Sequence, residues 1–164
     1  MQFIWLSTLF MISCSGGNEK KTIPTTETTE KIFSAEIPKT VKISIEGDDM
    51  MRYNLDKIQV NAGQTVELTL THTGQMSALT MGHNWILLSL GTDKADFGMA
   101  AMSAKEQGYV PQDMKGNVIA ATTVIGGGES TTITFDAPAP GYYEFICSFP
   151  GHYGLMNGSF VVLP

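Results

Sequence analysis

The segment Phe145-Ile146-Cys147-Ser148-Phe149-Pro150-Gly151-His152-Tyr153-Gly154-Leu155-Met156 closes a β-rich run over 142–147 and leads into another over 159–163. It reads as strand, turn, strand. Proline presets φ and glycine accepts left-handed backbone, so Pro150-Gly151 can fold the chain back until Cys147, leaving one strand, and His152, on the loop, converge. Met156 approaches as the next strand begins. Upstream the same pattern recurs at 40–45, 57–60, 65–71, 84–90, 118–124 and 130–135, between turn-like clusters of Gly, Asn, Asp and Pro. Eight short strands predict an all-β sandwich or barrel. The stretch 93–116 differs. There Ala100, Ala101, Met102, Ala104, Lys105, Glu106 and Gln107 follow Phe97-Gly98-Met99 and predict one short helix inserted between strands. Trp85, in Asn84-Trp85-Ile86-Leu87-Leu88, is expected to point inward.

With 164 residues, 43% of them hydrophobic and 16% charged, the chain has apolar material for one core and too few charges for a disordered polymer. A net charge of −6 repels phosphate backbones, which argues against nucleic acid as a partner.

Residues 3–12 are an apolar run ending at Ser13-Cys14-Ser15-Gly16-Gly17. It has the length of a signal-peptide core and is too short to span a bilayer. The segment resembles a bacterial lipoprotein signal in which Cys14 becomes the acylated first residue; an ordinary secreted start with an incidental cysteine is the alternative. The expected layout is a signal over 1–14, a Thr-rich flexible tether over 15–38 and a domain over 39–164. About 20 tether residues span on the order of 25 Å as a coil. If Cys14 carries lipid, Cys147 is a lone thiol in an oxidising compartment, where it survives by burial or by binding a metal.

The spacing Cys-x4-His-x3-Met places a thiol, an imidazole and a thioether in ten residues, and Met81-Gly82-His83-Asn84-Trp85 offers a second imidazole at the start of a strand. Taken singly, a cysteine is a small core residue, a histidine a hydrogen-bonded group and a methionine core filling. Together they form a soft donor set of the kind that selects copper, with two imidazoles and a thiolate in a trigonal arrangement and a distant axial thioether.

On Met81-Gly82-His83-Asn84-Trp85, on Cys147 through His152 with Met156, on the Gly-rich Ile125-Gly126-Gly127-Gly128-Glu129 turn and on Thr134-Phe135-Asp136, the domain resembles the azurins, blue copper proteins of the cupredoxin family. The resemblance covers about 40–164. It implies a Greek-key β-sandwich with one short inserted helix, holding one copper ion that cycles between Cu(I) and Cu(II). It further implies His83, Cys147 and His152 as ligands, Met156 as a weak axial ligand and the Gly82 carbonyl on the opposite side. His72 aligns with a family histidine that lies near the metal without binding it. Azurins usually carry a disulfide near the start of the domain, and the regions of Val41 and Gly63 lack cysteines. That staple is worth about 2–4 kcal/mol in chain-entropy terms.

The expected function is one-electron transfer between redox proteins at the cell envelope, in the periplasm or at the cell surface, by a monomer anchored through Cys14. Partners of the c-type cytochrome or copper/haem reductase kind fit this role. Asn84 is placed to brace the ligand loop, and the Phe149 N–H to donate to the Cys147 sulfur. The electron is expected to leave through His152, ringed by Met51, Met76, Met81, Phe149, Pro150 and Leu155 as a docking patch. An enzyme would need an open coordination position with an acid or base beside it, and the four candidate ligands leave none. Copper storage or delivery is the rival function, since the same ligands can hold Cu(I) for handover and the chain has ten methionines. A structural zinc site is a third possibility.

Overall fold

Valine and leucine alternating with polar residues in TVELTLTH build strand β3 (Thr65–His72), whose Val66, Leu68 and Leu70 are fully buried. A computed structural model of the chain describes residues 38–164. The proposed signal segment, Cys14 and tether residues 15–37 lie outside the described residues. One sheet has the order β1-β3-β6, with β1 (Thr40–Gly47) and β6 (Ser130–Asp136) flanking β3. The other comprises β2 (Lys57–Asn61), β4 (Ile86–Leu88), β5 (Val118–Ala121), β7 (Gly141–Ile146) and β8 (Asn157–Leu163), in the order β2-β8-β7-β4-β5.

Both sheets are mixed for one reason. The chain passes from β1 to β2 in the opposite sheet and back to β3, so β1 and β3 run parallel, with Val41 beside Val66; β2 is likewise parallel to β8. The remaining pairs are antiparallel. The region lacking the family's disulfide is held by this pairing and by Gln64, whose Nε2 donates to the Pro38 carbonyl at 2.7 Å and whose Oε1 accepts from the Asn61 N–H at 2.7 Å.

Inward residues of both sheets meet in one core around Trp85, whose ring lies 5.8, 5.6 and 6.1 Å from those of Phe135, Phe145 and Phe160. Full burial of each such aliphatic or aromatic side chain contributes roughly 1.5–3 kcal/mol. Ile86, Leu87 and Leu88 are all buried because β4 is covered on both faces. Leu87 enters the sandwich core, while Ile86 and Leu88 pack under Phe97 of helix α2 (Lys94–Ala101).

All eight expected strands are present, two of them shorter than predicted. The 84–90 run forms a strand only over Ile86–Leu88, because the His83 backbone pairs with Ile125, the ladder shifts register after Leu87, and a turn begins at Ser89. The 118–124 run ends as a strand at Ala121. The helix also differs from expectation. It spans Lys94–Ala101 rather than starting after Met99, because the Asp93 carboxylate caps it by accepting from the N–H groups of Ala95 and Asp96 at 2.7 and 3.0 Å, which draws Phe97 into the core. The predicted residues beyond Ala101 form turns and a 3₁₀ segment, Lys105–Gln107. A single-turn helix α1 (Ala78–Met81) was not anticipated, since four residues carry no periodicity to read.

Strand polarity gathers the chemistry at one pole. Strands β1, β3, β5 and β7 arrive there, and β4, β6 and β8 depart from it. Gly47, His72, Asn84, Cys147 and the residues before Asn157 therefore collect at the same end of the sandwich.

Candidate metal centre

The ligand loop is a set of nested turns between β7 and β8. The Cys147 N–H donates to the Met156 carbonyl at 2.9 Å, the His152 N–H to the Phe149 carbonyl at 3.0 Å, and the Met156 N–H to the His152 carbonyl at 2.8 Å. Gly151 supplies the left-handed backbone the turn requires, with φ +84°. His83 enters from the far side of the centre on a segment fixed by reciprocal backbone bonds with Ile125, at 2.9 and 2.8 Å.

One donor atom from each of His83, Cys147 and His152, all three residues buried, lies within 4.8 Å of the others. This is close to the span one ion bridges with bonds of roughly 2.0–2.3 Å to imidazole and thiolate. Each ring nitrogen of His83 faces a carbonyl oxygen, Nε2 that of Asp48 at 2.9 Å and Nδ1 that of Gly82 at 3.0 Å. With the ring's proton on Nε2 and directed to Asp48, Nδ1 is left as the donor toward the centre. Cys147 Sγ sits 3.5 Å from His152 Nδ1 and 4.0 Å from the same carbonyl. Buried donors converging on one point are arranged for a cation, and the soft thiol among imidazoles fits copper.

The electrostatics of the donor groups agree. Burial pushes the Cys147 thiol up to about 12, opposed by the backbone N–H groups of Asn84 and Phe149 that face its sulfur. Burial and the neighbouring imidazoles bring His152 down to about 4. His83 is also lowered, chiefly by burial, against the stabilising carbonyl of Asp48.

Met156 is fully buried at the centre, and its position depends on Gly47. A Cβ added there would lie 2.6 Å from the Met156 methyl and 2.8 Å from His83 Cδ2. Gly82 is constrained in the same way. A Cβ on it would stand 2.6 Å from the Ala78 carbonyl and 2.8 Å from Phe149.

Asn84 ties the two halves together. Its Oδ1 accepts from the Ser148 N–H at 2.9 Å, and its Nδ2 donates to Ser148 Oγ at 3.0 Å and to the Gly108 carbonyl at 3.2 Å. His72 is outside the ligand cluster and fully buried. Its ring stacks on His83 at 4.1 Å with planes 16° apart, bonded to the Met81 carbonyl and the Gly74 N–H.

The expected docking residues fall into two groups. Met76 and Leu155 are exposed and Met51, Met81 and Pro150 half-buried, whereas Phe149 is buried and forms the floor, its ring 4.8 Å from His152 and 5.1 Å from Tyr109. Sequence reasoning missed Leu79, which is 80% exposed and lines a shallow apolar depression of about 290 Å³ with Val124 and Tyr109. It also missed Gly47, Asp48 and Asp49. The Asp49 carboxylate accepts from the N–H groups of Gln75 and Met76 at 2.8 and 3.3 Å, pinning that loop over the stacked histidines. The only signal these residues carried was that of a turn.

Residues 39–163 match the copper binding proteins of the plastocyanin/azurin family. The chain belongs to that family. It is 40% identical to azurin from Achromobacter denitrificans over 123 residues, 71% of this chain and 80% of that protein. It is 38% identical over 118 residues to outer membrane protein H.8 of Neisseria gonorrhoeae, covering 70% of this chain and 63% of that one. The solved structure of auracyanin A, a "blue" copper protein from Chloroflexus aurantiacus, superimposes with a TM-score of 0.68 and 36% identity over 75% of this chain and 98% of that one. Family membership and the His83, Cys147, His152 cluster together identify a β-sandwich that carries one copper and transfers electrons.

Proposed function

We propose that His83 and His152, each through Nδ1, and Cys147 through its thiolate hold the copper. Met156 and the Gly82 carbonyl would serve as weak ligands. The observation that carries this reading is the convergence of one donor atom from each of the buried His83, Cys147 and His152 to within 4.8 Å of one another, with the Gly82 carbonyl and Met156 beside them. Bound copper supplies a one-electron couple between Cu(I) and Cu(II).

The chain's own residues keep the donors still while the electron moves. Asn84 fastens the Cys147 segment to the His83 segment, and Asp48 fixes the His83 tautomer. The N–H groups of Asn84 and Phe149 face the sulfur and favour its thiolate form against the effect of burial. Burial keeps water out, with His152, 3% exposed, nearest to solvent under the apolar rim. An apolar rim suits brief encounters that part quickly, as small, weakly held redox complexes do. The partners are redox proteins such as c-type cytochromes or copper/haem reductases, met by a monomer held at the envelope through lipidated Cys14, in the periplasm or at the cell surface.

Adding Cu(II) to the metal-free protein and recording visible absorption tests the reading. An intense blue thiolate-to-copper band with a reversible potential is the expected result, and Cys147→Ser abolishes it. A Cys147→Ser protein that stays blue refutes the thiolate assignment, and copper passed freely to a competing thiol points to storage or delivery instead.

A further inference from the structure

The turn between His152 and Met156 is gripped from outside by helix α2. Tyr153, directly after His152, lays its ring across the helix at Gly98. A Cβ on Gly98 would lie 2.3 Å from Tyr153 Cδ1 and 2.4 Å from Cγ, so a residue larger than glycine displaces the ring. Gly98 is buried within ordinary helix, where glycine costs roughly 0.5–1 kcal/mol relative to alanine and no backbone conformation calls for it. Its use at this position is the close approach of the ring. The same ring packs on the cluster of Ile86, Leu88, Phe97 and Ile146, and Ile146 immediately precedes Cys147.

A second tie lies at the other end of the turn. Asn157 Nδ2 donates to the carbonyls of Tyr153 and Gly154 at 3.0 and 3.2 Å, while its Oδ1 accepts from Lys94 Nζ at 3.4 Å. Lys94, the first residue of α2, also pairs with Glu144 of β7 at 2.8 Å.

We infer that α2 is a splint for the copper-binding loop, and that Tyr153 and Gly98 are positioning residues that hold His152 in place through a ring-in-cradle contact. This rests on the reading of His152 as a ligand. Neither residue touches the donor atoms; both act through the turn that carries His152.

The test is a double-mutant cycle of Gly98→Ala and Tyr153→Ser, read by reduction potential, visible spectrum and electron self-exchange of the copper protein. Amide hydrogen exchange at Leu155 and Met156 in the metal-free protein is a further readout. Both of these N–H groups donate to the His152 carbonyl and report the turn directly. Each single variant is expected to speed that exchange about tenfold, shift the potential and slow self-exchange. The double variant should match Tyr153→Ser alone, because with the ring gone a methyl at position 98 meets no obstacle. Tyr153→Phe should behave as wild type. Additive effects, or a Gly98→Ala protein with unchanged potential and exchange, overturn the inference. If Gly98→Ala does not fold, Tyr153→Ser compared with Tyr153→Phe decides in its place: equal exchange rates in those two refute the splint. A wild-type protein lacking the blue band defeats the copper assignment, and the metal-free exchange measurement still judges the clamp.

Discussion

Copper uptake should release one proton per ion at neutral pH. The thiol of Cys147, pushed up to about 12, is fully protonated at pH 7 in the metal-free protein and must lose its proton to bind. His152, brought down to about 4, and His83, also lowered, are already neutral and lose nothing. The count is therefore one from sulfur and none from nitrogen. The sign follows: raising pH removes a competitor for the site, so affinity grows about tenfold per pH unit around neutral pH, and the dependence steepens in acid as the imidazoles become charged, His152 near pH 4. Calorimetric titrations of Cu(II) in buffers of different ionisation enthalpy give the proton number as the slope of observed heat against that enthalpy. A slope near zero would mean that the metal-free protein already holds a thiolate, and a slope near two at pH 7 that an imidazole is charged. Either result refutes the electrostatic account of the centre.

Replacing Met156 with Leu should preserve the blue band, since the trigonal donors remain, and should raise the potential by removing a donor that favours Cu(II); voltammetry and absorption check both, and bleaching would make Met156 a primary ligand. Met81→Lys, at the half-buried rim, should leave the spectrum nearly intact and slow self-exchange, because two rims meeting face to face would bring like charges together. NMR exchange rates equal to wild type at low ionic strength would move the docking surface elsewhere. Cys14→Ala should shift the protein from the membrane to the soluble fraction with an unchanged copper spectrum, and persistent membrane association would reject lipidation.

The sequence made the β-architecture legible where burial is one-sided. Val66, Leu68 and Leu70 alternate with polar neighbours, and β3 begins and ends within a residue of the expected bounds. It was less legible where tertiary contact overrides local preference. Ile86-Leu87-Leu88 gives no sign that two faces are covered by different partners, and α2 starts at an Asp93 cap whose effect outweighs the richer helix formers that follow. The proposed donors Cys147, His152 and Met156 stood out as a set because they share one loop, and His83 because it opens a strand run in Met81-Gly82-His83-Asn84-Trp85, a motif that also carries the resemblance. Gly47, Asp48 and Tyr53 were not, since their contribution is made by backbone and hydroxyl groups that come near the centre only after folding: an absent Cβ beside Met156, a carbonyl beneath His83, and a phenol donating to the Asn84 carbonyl. Residue type alone carries no trace of those contacts.

The direction in which the strands run has a bearing on how the protein can be handled. Because β1 begins at Thr40 and reaches the copper pole only at Gly47, and β8 leaves that pole at Asn157 to finish at Leu163, both the entry and the exit of the domain lie at the opposite end. Eight extended residues put about 25 Å between them and the copper ligands. A linker joined before Pro38, a tag added after Pro164, or a gold surface bonded through either would all attach at this remote end. The pole that gathers His83, Cys147 and His152 would then face the solution, free to meet a partner from almost any angle of approach.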